Sequence, residues 1–193
     1  MIAIRTLLTL TLLLGVAYPL VVTGLAQLLF PWQANGSLLT NAKQQVVGSA
    51  LLAQKFERAD YFHSRPSASD FATIGGGGSN LGMSSPLRAE FAAAAARAQP
   101  EARVPALLTR SASGLDPHLP LDAALAQVDR VAGQRGLDPV RLTEQVKSAA
   151  QAGILGPQVV NILQLNLQLD HQKGAWGRSL PFGKAPFRQR GQA

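Results

Sequence analysis

The amino-terminal segment constrains the fold of this chain more than any other feature. Leu7 to Phe30 is a run of 24 residues without a charged side chain. As an α-helix it would extend about 36 Å, enough to cross a hydrocarbon core of about 30 Å with some tilt. Pro19 lies inside the run and predicts a kink, which membrane helices tolerate where neighbouring groups satisfy the freed carbonyl. The sequence therefore predicts a membrane anchor in residues 1–30, with one transmembrane helix over about residues 7–30 in the lipid bilayer.

A cleaved signal peptide is the alternative interpretation of the same segment. Gly24 to Ala26 has the small-x-small pattern of a cleavage site. The apolar run continues past that site through Leu28 to Phe30, which is long for a signal. In an uncleaved anchor, Phe30 and Trp32 would lie at the far membrane interface, where amphipathic rings are favoured. The sequence favours an uncleaved anchor.

The distribution of positive charge predicts how the anchor is oriented. Arg5 is the only charged side chain before residue 31, and the next basic residue after the span is Lys43. Basic residues near the ends of a span are retained in the cytoplasm. We therefore expect a single-pass protein of the bacterial inner (plasma) membrane, with its amino terminus in the cytoplasm and the rest of the chain in the periplasm.

Most of the net charge of +7, five of the seven positive charges, comes from the carboxyl-terminal end of the chain. Residues 31–170 hold 12 basic and 11 acidic side chains, whereas the residues after Asp170 hold five basic side chains and no acidic one. A nucleic-acid-binding protein would need a basic stripe on a folded face, so nucleic acid is not an expected partner. Residues 171–193 are basic and rich in glycine and proline, and this composition predicts a disordered tail.

The sequence of residues 31–170 predicts a single α+β domain of mixed helices and strands outside the membrane. Apolar periodicity and turn residues give the predicted strands and helices. The predicted strands are Val46 to Leu52, Tyr61 to His63 and Val104 to Thr109; the predicted helices are Leu87 to Ala98, a helix entered at Pro120 that ends at Gly133 and Gly136, and a helix capped at Asp138 that ends at Gly153. Residues 159–169 are ambiguous, because leucines alternate as in a strand while Gly156-Pro157 favours a helix start; helix is weakly favoured.

The glycine run nearly matches a phosphate-binding loop but lacks its functional residue. Gly77 to Ser84 fits the Walker pattern except that Met83 stands where lysine would reach the phosphates. A turn whose glycines allow positive φ and close backbone approach is the favoured interpretation. His63, His118 and His171 are isolated in sequence, so no metal site is expected. There is no cysteine, no serine-hydrolase motif and thus no predicted catalytic residue.

Seven motifs in order give the chain a family resemblance. They are FPWQANGS at 30–37, GSALLAQKF at 48–56, YFHSRPSA at 61–68, GGSNLG at 77–82, SASGLDPHL at 111–119, AQVDRVAGQRGL at 126–137 and VVNILQLNLQLD at 159–170. Together with the apolar span, they resemble the C subunit of the bacterial Kdp potassium-transporting ATPase (the KdpC family). The sequence departs from that family at Met83, Ser85 and Arg110 and in its long basic tail.

The resemblance implies a non-catalytic accessory subunit of an ATP-driven, high-affinity potassium uptake pump. Its partners would be a channel-like potassium-translocating subunit and a P-type ATPase subunit. The family is described as a catalytic chaperone that raises the ATP affinity of the ATPase subunit. ATP and K⁺ would be handled by the complex, with no cofactor assigned to this chain. A periplasmic domain cannot touch cytoplasmic nucleotide, so any effect on ATP affinity would be a coupling carried through the partners. A signal-anchored periplasmic binding or envelope protein without a pump partner is the alternative.

Fourteen residues within the motifs are candidates for an interface or for forming the fold. Aromatic and arginine side chains are the types that anchor protein interfaces. Packing within the domain alone is the other interpretation of the same residues. The candidates are Tyr61, Phe62, Arg65, Pro66, Gly77, Gly78, Ser79, Asn80, Ser113, Gly114, Asp116, Arg130, Asn161 and Asn166.

Overall fold

The computed structural model describes residues 1–41, 43–98, 103–153 and 156–173 of the chain. The chain divides into two units, Met1–Ser49 and the residues from Ala50 onward. Residues 174–193 of the predicted tail lie outside the described residues, whereas residues 171–173 belong to the last helix.

The first unit begins with the apolar helix that the sequence predicts. Ile2–Leu29 forms one continuous helix of 28 residues that contains an 18-residue stretch with a mean hydropathy of 2.0, and none of the helix is buried within the chain. It consists of α1 (Ile2–Leu12), a π-helical turn (Leu13–Ala17) and α2 (Tyr18–Leu29). This length and composition suffice to span a bilayer.

The π-helical turn lies where Pro19 would disturb the helix. A proline removes one N–H donor, and its ring crowds the carbonyl of the residue four positions earlier, here Gly15. The turn widens the helix at that point, since the N–H of Tyr18 bonds to the carbonyl of Leu13, five residues back. The helix therefore continues through the proline instead of ending there.

A short helix and a hairpin complete the first unit. After α3 (Pro31–Ala34), strand β1 (Leu38–Thr40) pairs antiparallel with β2 (Val46–Ser49), with a register shift between Leu39 and Thr40. The indole Nε1 of Trp32 donates to the carbonyl of Leu38 at 3.0 Å and ties the helix end to the hairpin. The predicted strand at 46–52 is therefore confirmed as far as residue 49, where a turn replaces it.

The second unit has six helices and two strands among its described residues. The strands pair antiparallel, with Leu119 opposite Val160. The elements in order are α4 (Pro86–Ala98), α5 (Pro105–Leu108), β3 (His118–Pro120), α6 (Leu121–Leu125), α7 (Val128–Arg135), α8 (Pro139–Ser148), β4 (Val159–Asn161) and α9 (Ile162–Lys173). The α+β class with one amino-terminal apolar helix is thus confirmed.

Two helix predictions are confirmed and two strand predictions are wrong. Helix α4 matches the predicted helix at 87–98, and α8 begins at its predicted cap, where the Asp138 carboxylate accepts from the N–H of Val140 at 2.9 Å. Residues 104–109 form α5 instead of a strand, because Pro105 begins a helical turn and Thr109 N–H bonds back to its carbonyl at 3.0 Å. Residues 61–63 form no strand either.

The remaining helix boundaries differ from the prediction in detail. The single helix expected after Pro120 is two helices, α6 and α7, separated at Ala126 and Gln127. Gly136 follows the end of α7 in a left-handed conformation, whereas Gly133 lies inside the helix. Helix α8 ends at Ser148, before the predicted stop at 153. The ambiguous segment contains both structures, since strand β4 leads directly into α9.

The core of the second unit is formed by apolar residues of its helices and its two strands. Phe62 is fully buried in this cluster although it belongs to no helix or strand. The buried cluster consists of Phe62, Leu107, Leu119, Ala123, Ala124, Val128, Val131, Ala132, Leu142, Val146, Val160, Ile162, Leu165 and Leu169. Residues distant in sequence therefore meet around Phe62.

Candidate functional site

The backbone of Phe62 and His63 is hydrogen-bonded to two buried side-chain amides. The Phe62 N–H donates to Asn166 Oδ1 at 2.9 Å, and Asn166 Nδ2 donates to the Phe62 carbonyl at 2.9 Å. Gln127 pairs with the backbone of His63 in the same way, at 2.8 and 3.0 Å. Each amide offers a donor and an acceptor, so it replaces a neighbouring strand. This is why an extended segment with strand-like residues forms no sheet.

These two amides satisfy groups that could not otherwise be buried. Gln127 is fully buried and Asn166 is 1% exposed. A buried backbone N–H or C=O without a partner costs about 1–3 kcal/mol. Asn166 comes from α9 and Gln127 from the residue that precedes α7, so both helices are fixed against the same short segment. We interpret Phe62 and Asn166 as fold-forming residues.

Tyr61 joins a buried ion pair next to this segment. Arg135 Nη2 lies 3.0 Å from Asp170 Oδ1, and the two side chains are only 3% and 7% exposed. The Tyr61 hydroxyl donates to Asp170 Oδ2 at 2.9 Å, and the Arg135 guanidinium lies 4.7 Å from the centre of the tyrosine ring. Burial, followed by the bond to Asp170, raises the pKa of Tyr61 to about 12. The phenol therefore stays neutral and donates to the carboxylate.

Arg130 binds the same segment from α7. Its Nη1 donates to the Tyr61 carbonyl at 3.0 Å and also to the carbonyl of Ala59. Its Nη2 donates to Gln127 Oε1 at 2.8 Å, which orients the amide that holds His63. Arg130 thus supports the amide pairing.

The glycine run packs against the serine-rich turn at 111–117. A Cβ placed on Gly78 would lie 2.6 Å from the carbonyl oxygen of Ala112. A Cβ on Gly114, whose φ is +73°, would lie 2.7 Å from the carbonyl oxygen of Gly77. Side chains at these two positions would separate the two loops, so the close backbone approach requires glycine there.

The expectation of positive φ within the glycine run is only partly met. Gly75 has a φ of +81°, whereas Gly77 and Gly78 do not have positive φ, and Asn80 does, at +52°. Gly78 is required for its space and not for its backbone angle, while a Cβ placed on Gly77 would meet nothing within 4 Å. In a phosphate-binding loop a strand leads into the glycines, but residues 50–76 contain no strand.

Arg65 and Asp116 flank an open depression beside this loop contact. The depression has a volume of about 570 Å³ and is lined in part by Leu51, Thr73 and Leu115. Arg65 Nη2 donates to Thr109 Oγ1 and to the carbonyl of Arg110, each at 3.3 Å. Its Nη1 is 4.0 Å from Asp116, whose Oδ1 accepts from the His118 N–H at 3.0 Å.

The other candidates have local roles in the same region or at the start of α9. The Pro66 carbonyl accepts from the Ser111 N–H at 2.9 Å, and Ser113 Oγ accepts from the Leu115 N–H at 3.2 Å. Asn161 caps α9, accepting from the Gln164 N–H at 3.1 Å. Its Nδ2 donates to the Ala50 carbonyl at 2.7 Å.

The structure therefore sorts the candidates into two groups. Around the buried segment lie Tyr61, Phe62, Arg130 and Asn166, whereas Asn161 lies at the start of α9 and donates to the Ala50 carbonyl. Around the loop contact lie Arg65, Pro66, Gly77, Gly78, Ser113, Gly114 and Asp116, with half-buried Ser79 and exposed Asn80 following Gly78.

Sequence reasoning missed the three side chains that organise the first group. Gln127, Arg135 and Asp170 are polar residues buried among apolar ones. A usable signal was present for Gln127, because it lies between Ala124 and Val128 on the apolar stripe of the predicted helix. Arg135 and Asp170 carried no comparable local signal, since they are paired across 35 positions of sequence.

Comparison with known proteins agrees with the sequence motifs. The family model described as KdpC, the c chain of the K⁺-transporting ATPase, matches residues 1–171. The potassium-transporting ATPase KdpC subunit of Pseudomonas aeruginosa is 54% identical over 172 residues, covering 86% of this chain and 93% of the relative. That of Pseudomonas putida is 49% identical, covering 87% and 93%. The chain therefore belongs to the KdpC family of subunits of the K⁺-transporting ATPase complex.

Proposed function

We propose that this chain is a non-catalytic accessory subunit of a potassium uptake pump, acting from outside the cytoplasm. The observation that carries the proposal is family membership over residues 1–171, which includes the membrane helix as well as the domain. The partners would be a channel-like potassium-translocating subunit and a P-type ATPase subunit. Through them the chain would support assembly of the pump.

Charge near the membrane helix supports an amino terminus in the cytoplasm. Arg5 precedes most of the apolar helix, and no basic residue follows it until Lys43. The positive-inside rule then places the hairpin and the second unit in the periplasm. The helix would remain uncleaved as the anchor of the subunit.

Any influence of this subunit on ATP affinity would be indirect. Met83 replaces the lysine that a nucleotide loop needs, and Gly78 is packed against the backbone of Ala112. A periplasmic domain would also be separated from ATP by the bilayer. We therefore propose a coupling free energy between the domain and the nucleotide site, carried by the partner subunits.

Protease accessibility tests the orientation. Protease added to intact spheroplasts should digest the chain beyond residue 31, and a cytoplasmic marker protein should survive as the control. Digestion that occurs only after the spheroplasts are lysed would show that the domain lies in the cytoplasm, where direct contact with ATP is possible.

Co-purification tests membership of the pump separately. A tagged chain extracted in mild detergent should bring along two larger hydrophobic subunits. A chain that purifies alone under conditions in which the pump itself remains active would contradict the accessory role.

A further inference from the structure

The loop from Phe71 to Pro86 exposes apolar side chains on an uncharged surface. Its 16 residues carry no charged side chain. Ile74 is 93% exposed and Met83 is 85% exposed, the two highest values among the large apolar residues described after the membrane helix. Isolated exposed apolar residues are ordinary on protein surfaces, so the exposure of Ile74 is informative only together with the absence of charge from this loop and the fixed shape of its entry and its middle. We call residues 71–86 the uncharged loop.

The entry to the uncharged loop is held in an unfavourable backbone conformation. Asp70 and Phe71 both have positive φ, at +50° and +62°. Positive φ costs about 1–3 kcal/mol for a residue with a side chain and persists where the surroundings enforce it. Here Ser67 Oγ accepts from the Phe71 N–H at 3.1 Å, and Lys55 Nζ lies 3.0 Å from the Asp70 carboxylate.

The middle of the uncharged loop is held by the serine-rich turn. Gly78 lies against the Ala112 carbonyl, and Gly76 lies against the Leu115 side chain. Ile74 is therefore projected into solvent between two fixed points, the strained entry and the glycine contact. A loop whose shape is already fixed loses less conformational entropy when it binds, so this arrangement favours association.

The chemistry of the uncharged loop favours a protein partner over a lipid surface. Contact with anionic lipid headgroups would be strengthened by lysine or arginine, and residues 71–86 contain neither. A neutral, partly apolar protein surface is the complementary partner, because it would not leave a charge unpaired on either side.

We propose that the uncharged loop is a contact with another subunit of the pump, in which Ile74 enters an uncharged apolar depression on that subunit. This inference rests on the proposed function, since it requires an assembled complex. Met83 lies beside this contact but is not part of it, because Arg88 Nη1 donates to the Met83 Sδ. The strained entry and the glycine contact position Ile74 and do not themselves touch the partner.

The absence of cysteine from the sequence makes this contact directly measurable. Ile74→Cys introduces one thiol into the uncharged loop, and Val140→Cys, at a residue 65% exposed on α8, is the matched control. The rate of reaction with a water-soluble maleimide is measured for the purified complex, for the full chain alone in detergent, and for the full chain alone in vesicles. Since an interface core excludes water, the Ile74→Cys thiol should react about tenfold more slowly in the complex than alone in detergent. The Val140→Cys rate should change less than about twofold between the same samples.

The other outcomes contradict the proposal in distinguishable ways. Equal rates for Ile74→Cys in the complex and in the free chain, or equal slowing of both thiols, would exclude a specific contact. Slowing in vesicles without partners would indicate lipid, and slowing of the free chain as its concentration rises would indicate a second copy. Failure of the unsubstituted chain to form a complex would overturn the proposed function and this inference with it, whereas an intact complex with an unprotected thiol would overturn this inference alone.

Discussion

The YFH segment at 61–63 and the uncharged loop at 71–86 are close in sequence but are used differently. Phe62 is fully buried and its backbone is satisfied by Asn166, whereas Ile74 is 93% exposed. Aromatic residues suggested an interface for the first, and glycines suggested a turn for the second. The comparison shows that residue type alone does not separate architecture from contact surface. The two are distinguished by the burial of the side chains and by the hydrogen-bond partners of the backbone N–H and C=O groups.

The two regions also differ in how they are stabilised. The YFH segment is held by buried side chains of α7 and α9, including the Arg135–Asp170 ion pair. The uncharged loop is held by close approach of two backbones at Gly78 and Gly114. Substitutions in the first region should therefore cost more stability than substitutions in the second.

The largest effect is expected from breaking the buried ion pair. Asp170→Ala leaves the guanidinium of Arg135 buried without its carboxylate, which should reduce the free energy of unfolding by about 3–5 kcal/mol. Unfolding of the full chain in detergent, followed by circular dichroism, measures this. Asp129→Ala, at an exposed position on α7, is the control. Equal stability of the two variants would show that the Arg135–Asp170 ion pair does not stabilise the fold.

The amide pairing of the YFH segment is expected to rank next. Asn166→Ala leaves the N–H and the carbonyl of Phe62 without partners, and each loss costs about 1–3 kcal/mol. The same unfolding measurement applies, with Gln168→Ala at an exposed position of α9 as the control. A loss no greater than that of the control would show that the amide does not hold the segment.

The glycine contact should show a smaller and position-specific effect. Gly78→Ala forces its Cβ against a backbone carbonyl. Gly114→Ala does the same and also places a side chain on a residue with positive φ. Each substitution should reduce the free energy of unfolding by about 1–3 kcal/mol. Gly77→Ala is the matched control and should change stability by less than about 0.5 kcal/mol. Similar losses at Gly77 and Gly78 would show that the close approach of Gly78 to the Ala112 carbonyl is not the constraint.

The titration of Tyr61 tests the buried network with the smallest perturbation. The sequence contains two tyrosines, so Tyr18→Phe leaves Tyr61 alone for an absorbance titration. Its pKa should be about 12 instead of 10. Because the folded state holds this proton more tightly, the stabilisation is fully present below pH 10 and is lost as the pH rises through about 12. Asp170→Asn should lower the Tyr61 pKa, and an ordinary pKa near 10 would show that the hydroxyl is not buried against Asp170.

The sequence predicted local structure well and long-range structure poorly. Helices α4 and α8 have local signals, a proline at the start and, for α8, the Asp138 cap. The membrane helix needs only its own composition. The YFH segment was predicted as a strand because its partners, Gln127 and Asn166, lie 64 and 104 positions away. Side-chain amides that replace a strand leave no periodic pattern to detect.

The candidates taken from the motifs included residues on both sides of the loop contact but did not indicate their grouping, and they omitted Gln127, Arg135 and Asp170. The motifs identified Gly78 and Gly114, yet nothing local indicates that Gly78 meets the backbone of Ala112 or that Gly114 meets the backbone of Gly77. Sequence analysis did not identify Ile74 as a candidate, although the stretch of 16 uncharged residues that contains it is visible in the sequence. Exposure of an apolar side chain depends on the path of the loop. That path is set by contacts with Lys55, Ser67 and Ala112, which are distant from it in sequence or outside it.

Hydrogen exchange of the chain alone and in the assembled pump tests the distinction between the two regions most directly. The amides of Phe62 and His63 should exchange slowly in both states, because their partners are buried side chains of the same chain. Amides of residues 72–84 should exchange quickly in the free chain and at least about tenfold more slowly in the complex. Unchanged exchange in the uncharged loop, together with new protection at Phe62 and His63 on assembly, would reverse the roles assigned to the two regions.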